Sequence, residues 1–402
     1  LGLALTGCQP AEQTTSSAPA APAPQTEQPE SLTDRRLREI EEAVRVGIFT
    51  PEEGERRRRE VLGLAPEAAP PAQRPAPSPE PTPATASPDV AVRDATAGLS
   101  GPIAAQLAGL RPYEPEVILS QRLTSVGSDT MDDLMFEWEE VFTEYHRNMR
   151  IQHSGQGSST AIPALLDGTD FGPMSRQIRD SEVEAFMQRF QRPPTQLPVA
   201  LDALAVYVNP ANPILAEGLN LAEIDAIFSA TRNRDYPQEV TTWGDLGLTG
   251  EWANQPIRVY GRNSASGTYA YFRSNVLDGG DYKASNNELA SSEAVVEAVA
   301  RDPYGIGYSG IGYKTDDVET VAVAIEGDDY IAATGENALD GSYPLARFLY
   351  LTINHNPNQE NALHREFLTF VYSPEGQRIV LDNGYFPVNR IIADQALGAL
   401  DY

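Results

Sequence analysis

The chain has 402 residues with 57 acidic and 30 basic side chains, which give it a formal net charge of -27 at pH 7. Nucleic acids and anionic membrane surfaces attract basic proteins, so this charge argues against both as partners. The length allows two or three compact units. After its first residues, the sequence contains no apolar run of about 18 residues, the length that a membrane-spanning helix needs.

The first eight residues resemble the end of a bacterial lipoprotein signal peptide. The segment Leu5-Thr6-Gly7-Cys8 fits the lipobox pattern, in which a Leu and two small residues precede a Cys that is acylated after cleavage. No Met and no basic region precede it, so we expect the natural sequence to extend further upstream. Cys8 is the only cysteine, which excludes an intramolecular disulfide. Acylation of Cys8 would anchor the chain to a lipid bilayer.

Residues 9–116 are predicted to form a low-complexity tether that contains one short helical hairpin. Pro, Ala, Ser, Thr and Gln dominate residues 9–32 and 66–88, and such sequences bury too little apolar surface to fold. Between them, residues 32–64 carry apolar side chains at helical spacing, and Thr50-Pro51-Glu52-Glu53 has the pattern of a capped helix start. This hairpin resembles the SHOCT type, which is often attached to bacterial membrane-associated proteins.

The globular part is predicted to comprise residues 117–402 and to have an α/β fold. Short apolar strands alternate with amphipathic helices along it, which is typical of α/β proteins with mostly parallel sheets. Its length of about 285 residues exceeds the size at which one hydrophobic core stops growing, so we expect two lobes. The predicted strands are residues 118–124, 150–153, 197–208, 257–260, 321–325 and 348–353. The predicted helices are residues 132–145, 160–166, 180–190, 221–228, 269–276, 291–301 and 361–372.

Short turns rich in glycine and hydroxyl residues are the candidate binding elements. Three of them, Gly127–Met131, Gly155–Thr160 and Arg262–Thr268, each precede a predicted helix, and a fourth, Asp170–Arg176, follows a strand-like segment. Helix N-termini offer backbone N–H groups and a dipole that favour negative charge. One capped turn is common, but several in one domain, with an arginine in the third, indicate a cage for a small oxyanion. The candidate anion-binding residues are Ser128, Thr130, Met131, Ser158, Ser175, Arg176, Arg262, Ser266, Gly267 and Thr268.

In their order and spacing these motifs resemble the phosphate-binding protein of the bacterial high-affinity phosphate ABC transporter, the Pst system. The resemblance runs from G-S-D-T-M through G-Q-G-S-S-T-A-I, D-F-G-P-M-S-R and Y-G-R-N-S-A-S-G-T-Y to Y-P-L-A-R-F-L-Y-L. It implies a type II periplasmic-binding-protein fold, in which two α/β lobes close on the ligand. Lobe 1 would comprise residues 117–204 and 345–402, and lobe 2 residues 205–344. Two crossover strands near residues 201–208 and 343–351 would join them.

The resemblance also implies the function of an extracytoplasmic lipoprotein that captures inorganic phosphate and delivers it to an ABC permease. Mapped by motif, Thr130 and Met131 lie at the first phosphate turn, Ser158 at the second and Arg262–Thr268 at the third. We expect a monomer without a cofactor, located in the periplasm or at the cell surface and attached to a membrane through Cys8.

One residue departs from the pattern of well-studied relatives, because Arg176 stands where their fourth turn carries an Asp. In those relatives the Asp accepts the proton of phosphate and so discriminates against fully ionised sulfate. A guanidinium cannot accept a hydrogen bond. Three interpretations stay open: Asp129 or Asp170 supplies the acceptor, Arg176 neutralises the anion and discrimination is looser, or Arg176 pairs with a carboxylate at the rim of the site.

An enzyme that acts on phosphoesters is an alternative that the sequence disfavours. The four histidines lack metal-ligand spacing, and the chain has neither a G-x-S-x-G elbow nor a P-loop lysine. No catalytic residue and no metal ligand is therefore predicted. A further alternative is a sensor or adhesion lipoprotein that uses the same fold without a permease, or a binder of a related oxyanion such as arsenate or sulfate.

Overall fold

A computed structural model of the chain describes Arg58 and residues 95–99, 101–325 and 329–400. The predicted lipidation site Cys8 lies outside the described residues. So does the predicted hairpin at residues 32–64, apart from Arg58. Among the helices of the described part, none is long and apolar enough to cross a membrane.

Helices and strands alternate along most of the described chain. The helices are α1 (Gly101–Ala108), α2 (Asp132–Tyr145), α3 (Ala161–Leu166), α4 (Asp180–Phe190), α5 (Leu221–Phe228), α6 (Gly267–Asn275), α7 (Ser292–Arg301), α8 (Gly335–Leu339), α9 (Ala362–Val371), α10 (Pro374–Asp382) and α11 (Arg390–Gly398). The strands are β1 (Arg122–Gly127), β2 (Arg150–Gly155), β3 (Gly172–Met174), β4 (Thr195–Val208), β5 (Leu219–Asn220), β6 (Arg258–Arg262), β7 (Asn287–Leu289), β8 (Gly305–Gly310), β9 (Glu319–Thr320), β10 (Val323–Ala324), β11 (Ala346–Ile353) and β12 (Phe386–Pro387). Helices α2, α4 and α5 have the predicted bounds.

The largest sheet has eight strands, with the order β3-β11-β4-β8-β6-β7 and with β9 and β12 also paired to β4. Strand β4 pairs with β11 along its first part and with β8 along its last part, antiparallel in both cases. Among the strands named above, β1 pairs in parallel with β2, β5 with β10, and β6 with β7 and β8. The expectation of mostly parallel sheets is therefore wrong. Because the chain crosses between the lobes along β4 and returns along β11, these two central strands must run in opposite directions.

Two large hydrophobic cores define the two lobes. The core of lobe 1 includes Trp138 and Phe367, and the core of lobe 2 includes Trp243 and Phe272. On both β4 and β11, side chains on one side of the partners Asp202 and Arg347 pack in the core of lobe 1, and those on the other side pack in the core of lobe 2. The change takes place within two residues of this pair. The two crossover strands therefore pass between the lobes at this pair.

The packed part of lobe 1 begins before the predicted boundary at residue 117. Leu107, Leu110 and Tyr113 are buried, and the last two belong to the core of lobe 1. The guanidinium of Arg378 donates a hydrogen bond of 2.9 Å to the carbonyl oxygen of Ala97. These apolar side chains stand three residues apart, but α1 ends at Ala108, so Leu110 and Tyr113 lie in the segment that follows the helix. The Ala- and Pro-rich composition around them hides this pattern in the sequence.

Candidate functional site

The first two candidate turns lie side by side at the edge of lobe 1. Strands β1 and β2 are parallel, and their last residues, Gly127 and Gly155, are register partners. A one-turn helix at Asp129–Met131 then leads into α2, and another at Ser158–Thr160 leads into α3. Since the carboxyl ends of parallel strands meet at one edge of a sheet, both turns present their hydroxyls to the same place.

Three serine hydroxyls from three separate turns form a buried cluster in lobe 1. The Ser128 hydroxyl donates to Oγ of Ser175 at 3.0 Å, and Oγ of Ser158 lies 3.3 Å from Oγ of Ser175. The backbone N–H of Ser175 also donates to Oγ of Ser158 at 3.0 Å. All three side chains are fully buried. The structure thus brings these three predicted residues together.

The third candidate turn supplies the N-terminus of α6, which faces this cluster from lobe 2. Oγ of Ser266 caps the helix by accepting from the N–H groups of Thr268 and Tyr269. The Oγ1 atoms of Thr130 and Thr268 lie 3.0 Å apart, so hydroxyls of the two lobes are in hydrogen-bond contact. Ser159 of lobe 1 adds a backbone hydrogen bond of 3.1 Å to the carbonyl oxygen of Ala265.

Gly267 lets the two lobes approach this closely. A Cβ atom at this position would lie 2.2 Å from Oγ of Ser158 and 2.5 Å from Oγ of Ser175. Both distances are far below van der Waals contact, and both serine side chains are fully buried. Only glycine is therefore compatible with the observed contact between the N-terminus of α6 and the serine cluster.

Arg262, at the end of β6, is held by an ion pair that joins the lobes. Its Nη2 atom lies 2.7 Å from Oδ2 of Asp129, and its Nη1 donates to Oγ of Ser292 at 2.7 Å. Arg262 is 1% exposed and Asp129 5%. The second carboxylate oxygen of Asp129, Oδ1, is buried and has no hydrogen-bond partner among the described residues. Within the described part, Asp129 therefore contributes one unused acceptor next to Ser128 and Thr130.

A second arginine, which the sequence analysis does not identify, connects the crossover strands to the cluster. Nε and Nη2 of Arg347 lie 2.9 and 2.8 Å from Oδ2 of Asp202. Nη1 donates to the carbonyl oxygen of Ser175 at 3.0 Å, and Nη2 donates to Oγ1 of Thr268 at 2.9 Å. The available signal was one charged residue in each of two otherwise apolar segments, L-D-A-L-A and L-A-R-F-L.

Arg176 belongs to a different contact. Its guanidinium forms a bidentate pair with Glu182 in the first turn of α4, with distances of 2.8 and 2.6 Å. Burial raises the pKa of Glu182, but hydrogen bonds from Arg176 and from the backbone N–H of Arg179 outweigh this and hold the pKa below its ordinary value. The charge of Arg176 is thus already compensated by the protein.

Met131 and Asp170, like Arg176, make contacts within lobe 1. The Met131 side chain is fully buried in the core of lobe 1, and its N–H donates to the carbonyl oxygen of Ser128. Oδ2 of Asp170 accepts from both the N–H and the hydroxyl of Thr124, at 2.8 and 2.7 Å. Of the two acidic residues considered as acceptors, Asp129 is the one that lies in a hydroxyl-rich turn of lobe 1 and pairs with Arg262 in the turn of lobe 2.

Fold and site together define a two-lobed binding protein of the periplasmic type. The family model of the PBP superfamily domain matches residues 81–375. The phosphate-binding protein PstS of Pseudomonas aeruginosa is 46% identical over 306 residues, which cover 75% of this chain and 94% of that protein. The chain therefore belongs to the PBP superfamily and, within it, to the family of the phosphate-binding protein PstS.

Solved structures agree with this assignment. A putative phosphate ABC transporter substrate-binding protein from Clostridium perfringens, with bound phosphate, is 25% identical and has a TM-score of 0.56 over 67% of this chain and 100% of that one. An ABC-type phosphate transport receptor from Vibrio cholerae, 22% identical, shares the fold with a TM-score of 0.52 over 66% of this chain and 100% of that one.

Replacing Glu182 with Gln tests how Arg176 is held. The variant leaves a nearly buried guanidinium without a full counter-charge, so at pH 7 we expect it to lose about 2 kcal/mol of unfolding free energy, less than a fully buried pair would lose. Because the folded-state pKa of Glu182 is lowered, this stabilisation is present above the ordinary glutamate pKa and is lost as the pH falls through the folded-state value.

Urea unfolding of wild type and E182Q from pH 7 to pH 3 measures the difference, which should shrink in acid. Glu184→Gln, an exposed position on the same helix, is the matched control. If E182Q were as stable as E184Q at pH 7, Arg176 would not depend on Glu182.

Proposed function

We propose that this protein captures inorganic phosphate between its two lobes and delivers it to the permease of an ABC transporter. The observation that carries the proposal is the convergence of buried hydroxyls, a helix N-terminus and two arginines from both lobes on one place. Identity of 46% to a phosphate-binding protein PstS supports phosphate as the anion. Membership of the same family supports the role of a binding protein rather than an enzyme.

The donors of the proposed site are hydroxyl and backbone N–H groups. Hydroxyls such as those of Thr130, Ser158 and Thr268 rotate, so each can turn from its present partner and donate to an anion. The N-terminus of α6 at Gly267 adds backbone N–H groups and the positive end of a helix dipole. Hydrogen bonds to an ionised group are about twice as strong as neutral ones, and burial keeps water from competing for them.

Charge compensation within the protein determines how the anion is held. Arg262 is paired with Asp129 and Arg347 with Asp202. Each arginine therefore brings its own counter-charge into the site, and we expect the phosphate charge to be stabilised mainly by neutral donors. This arrangement suits a chain with a net charge of -27, since binding then does not depend on a favourable long-range field.

We propose that Asp129 accepts the hydrogen bond from the protonated oxygen of phosphate. The ion pair with Arg262 fixes one oxygen of this carboxylate, while Oδ1 keeps an unused acceptor position among the described residues. A protonated phosphate oxygen can donate to that position, whereas fully ionised sulfate has no proton to donate. This assignment would give the site the discrimination that Arg176, a pure donor, cannot supply.

We further propose that the protein acts as a monomer outside the cytoplasm and is anchored through acylated Cys8. The tether would comprise residues 9–94, because Ala97, Leu110 and Tyr113 already contact lobe 1. The proposal rests on the lipobox pattern at Leu5–Cys8. In cells that produce the natural full-length protein, wild type should incorporate labelled fatty acid and fractionate with membranes. Cys8→Ala should do neither, and a Cys8→Ala protein that stayed with the membranes would remove the assignment.

Gly267→Ala tests whether lobe closure is needed for binding. The added methyl group would overlap two buried serine hydroxyls, and such overpacking costs about 1–3 kcal/mol. Isothermal titration with phosphate should show an affinity about 10- to 100-fold lower. Gly398→Ala, where a Cβ atom meets nothing within 4 Å, should bind like wild type. Unchanged affinity of G267A would place the binding site elsewhere.

Asp129→Asn tests the selectivity assignment. Arg262 needs an acceptor, so we expect the amide oxygen to face the guanidinium and the NH2 group to take the place of Oδ1, which converts an acceptor into a donor. The preference for phosphate over sulfate should fall by about tenfold or more, as for the loss of one hydrogen bond to a charged group.

Titration of wild type, D129N and the control variant D170N with phosphate and with sulfate measures this preference. Asp170→Asn is the control, because its carboxylate bonds to Thr124, and it should keep the wild-type ratio. A reduced ratio in D170N together with an unchanged ratio in D129N would assign the acceptor to Asp170 instead.

A further inference from the structure

A cavity of about 470 Å³ lies next to the hydroxyl cluster, between the two lobes. Its walls are the segment Arg176–Arg179 after β3, the second half of α6 and the first half of β11. Its volume lies in the range of small-molecule sites. Arg347 belongs to the lining and also donates to Oγ1 of Thr268, so one side chain contacts both this cavity and the proposed phosphate site.

The lining of the cavity is positively charged, in contrast to the chain as a whole. It contains Arg176, Arg179 and Arg347 and, within the described part of the chain, no Asp or Glu. Two of these charges are compensated from behind, by Glu182 and Asp202. The guanidinium of Arg179 has no ion-pair partner that the described residues supply. One positive charge therefore faces the cavity without a counter-charge.

Arg179 is exposed to solvent at the edge of the cavity. Partial burial lowers the pKa of its guanidinium, the neighbouring charge of Arg176 lowers it further, and Glu182 offsets only part of this. The hydroxyl of Ser274, across the cavity on α6, is a further donor in the lining. An anion bound in the cavity would bring a negative charge to Arg179 and accept hydrogen bonds from its guanidinium.

We propose that this cavity, the outer site, is a second and weaker oxyanion site. It lies beside the proposed phosphate site at the hydroxyl cluster, which is the inner site. Its ligand is inorganic phosphate or the terminal phosphate of an organic phosphate, which share the same chemistry. The nature of the anion rests on the proposed function, whereas the existence of the site rests on Arg179 and the cavity. The outer site holds its anion while the inner cluster is closed, and Arg347 contacts both.

Isothermal titration of the whole protein with inorganic phosphate at low ionic strength tests the proposal. We expect a tight phase from the inner site and a separate weaker phase from the outer one. Arg179→Ala should weaken the second phase by about tenfold and leave the first unchanged. Arg179→Lys keeps the charge and should retain most of the second phase. Arg189→Ala removes an exposed arginine from the same lobe outside the cavity and should behave like wild type.

Phenyl phosphate distinguishes the two sources of the ligand. If phenyl phosphate also gives a weak phase that R179A removes, the site takes organic phosphates as well. If only inorganic phosphate gives the weak phase, the site takes the free anion. A single phase of one equivalent in wild type, or a second phase equal in R179A and R189A, would overturn the proposal. Loss of the tight phase alone would instead contradict the proposed function, so the two failures are distinguishable.

Discussion

The buried ion pair between Asp202 and Arg347 is the interaction on which the rest of the structure depends. The two residues are register partners on the strands that cross between the lobes, and both are almost completely buried. Removing either partner would leave an uncompensated buried charge, which is strongly destabilising, so the pair fixes the register of the crossing. Because Arg347 also reaches Ser175 in lobe 1 and Thr268 in lobe 2, the same guanidinium connects the crossover strands to the facing turns of both lobes.

Local compensation explains how an acidic chain can present an anion site. Both inner arginines carry a carboxylate partner, and the remaining donors are neutral hydroxyl and N–H groups. Such a site does not need to overcome a net charge of -27 with free cations. The pairing of Arg262 with Asp129 also spans the lobes, so closure brings together the guanidinium and the carboxylate that we assign to the phosphate proton. Closure and selectivity thus involve the same contact.

Local signals in the sequence predict much of this fold, whereas long-range pairing does not follow from them. Amphipathic spacing gives the bounds of α2, α4 and α5, and the small-residue turns predict where the hydroxyls of Ser128, Ser158 and Thr268 gather. The alternation of strands and helices does not reveal that β4 and β11 are antiparallel. The relative direction of two strands depends on where the chain returns to the sheet, which is not a local property of the sequence. The partners of Asp129 and Arg347 are equally hidden, since they lie more than a hundred residues away along the chain in each case.

The most direct test of the central claim is a crystal structure of the protein grown with arsenate, whose scatterer can be located by its anomalous signal. The account predicts a peak between the lobes, with the arsenate oxygens around it within hydrogen-bond distance of Thr130, Ser158 and Thr268 and of the backbone N–H of Gly267. An anomalous peak confined to another part of the molecule, with the hydroxyl cluster still bonded to itself, would contradict it.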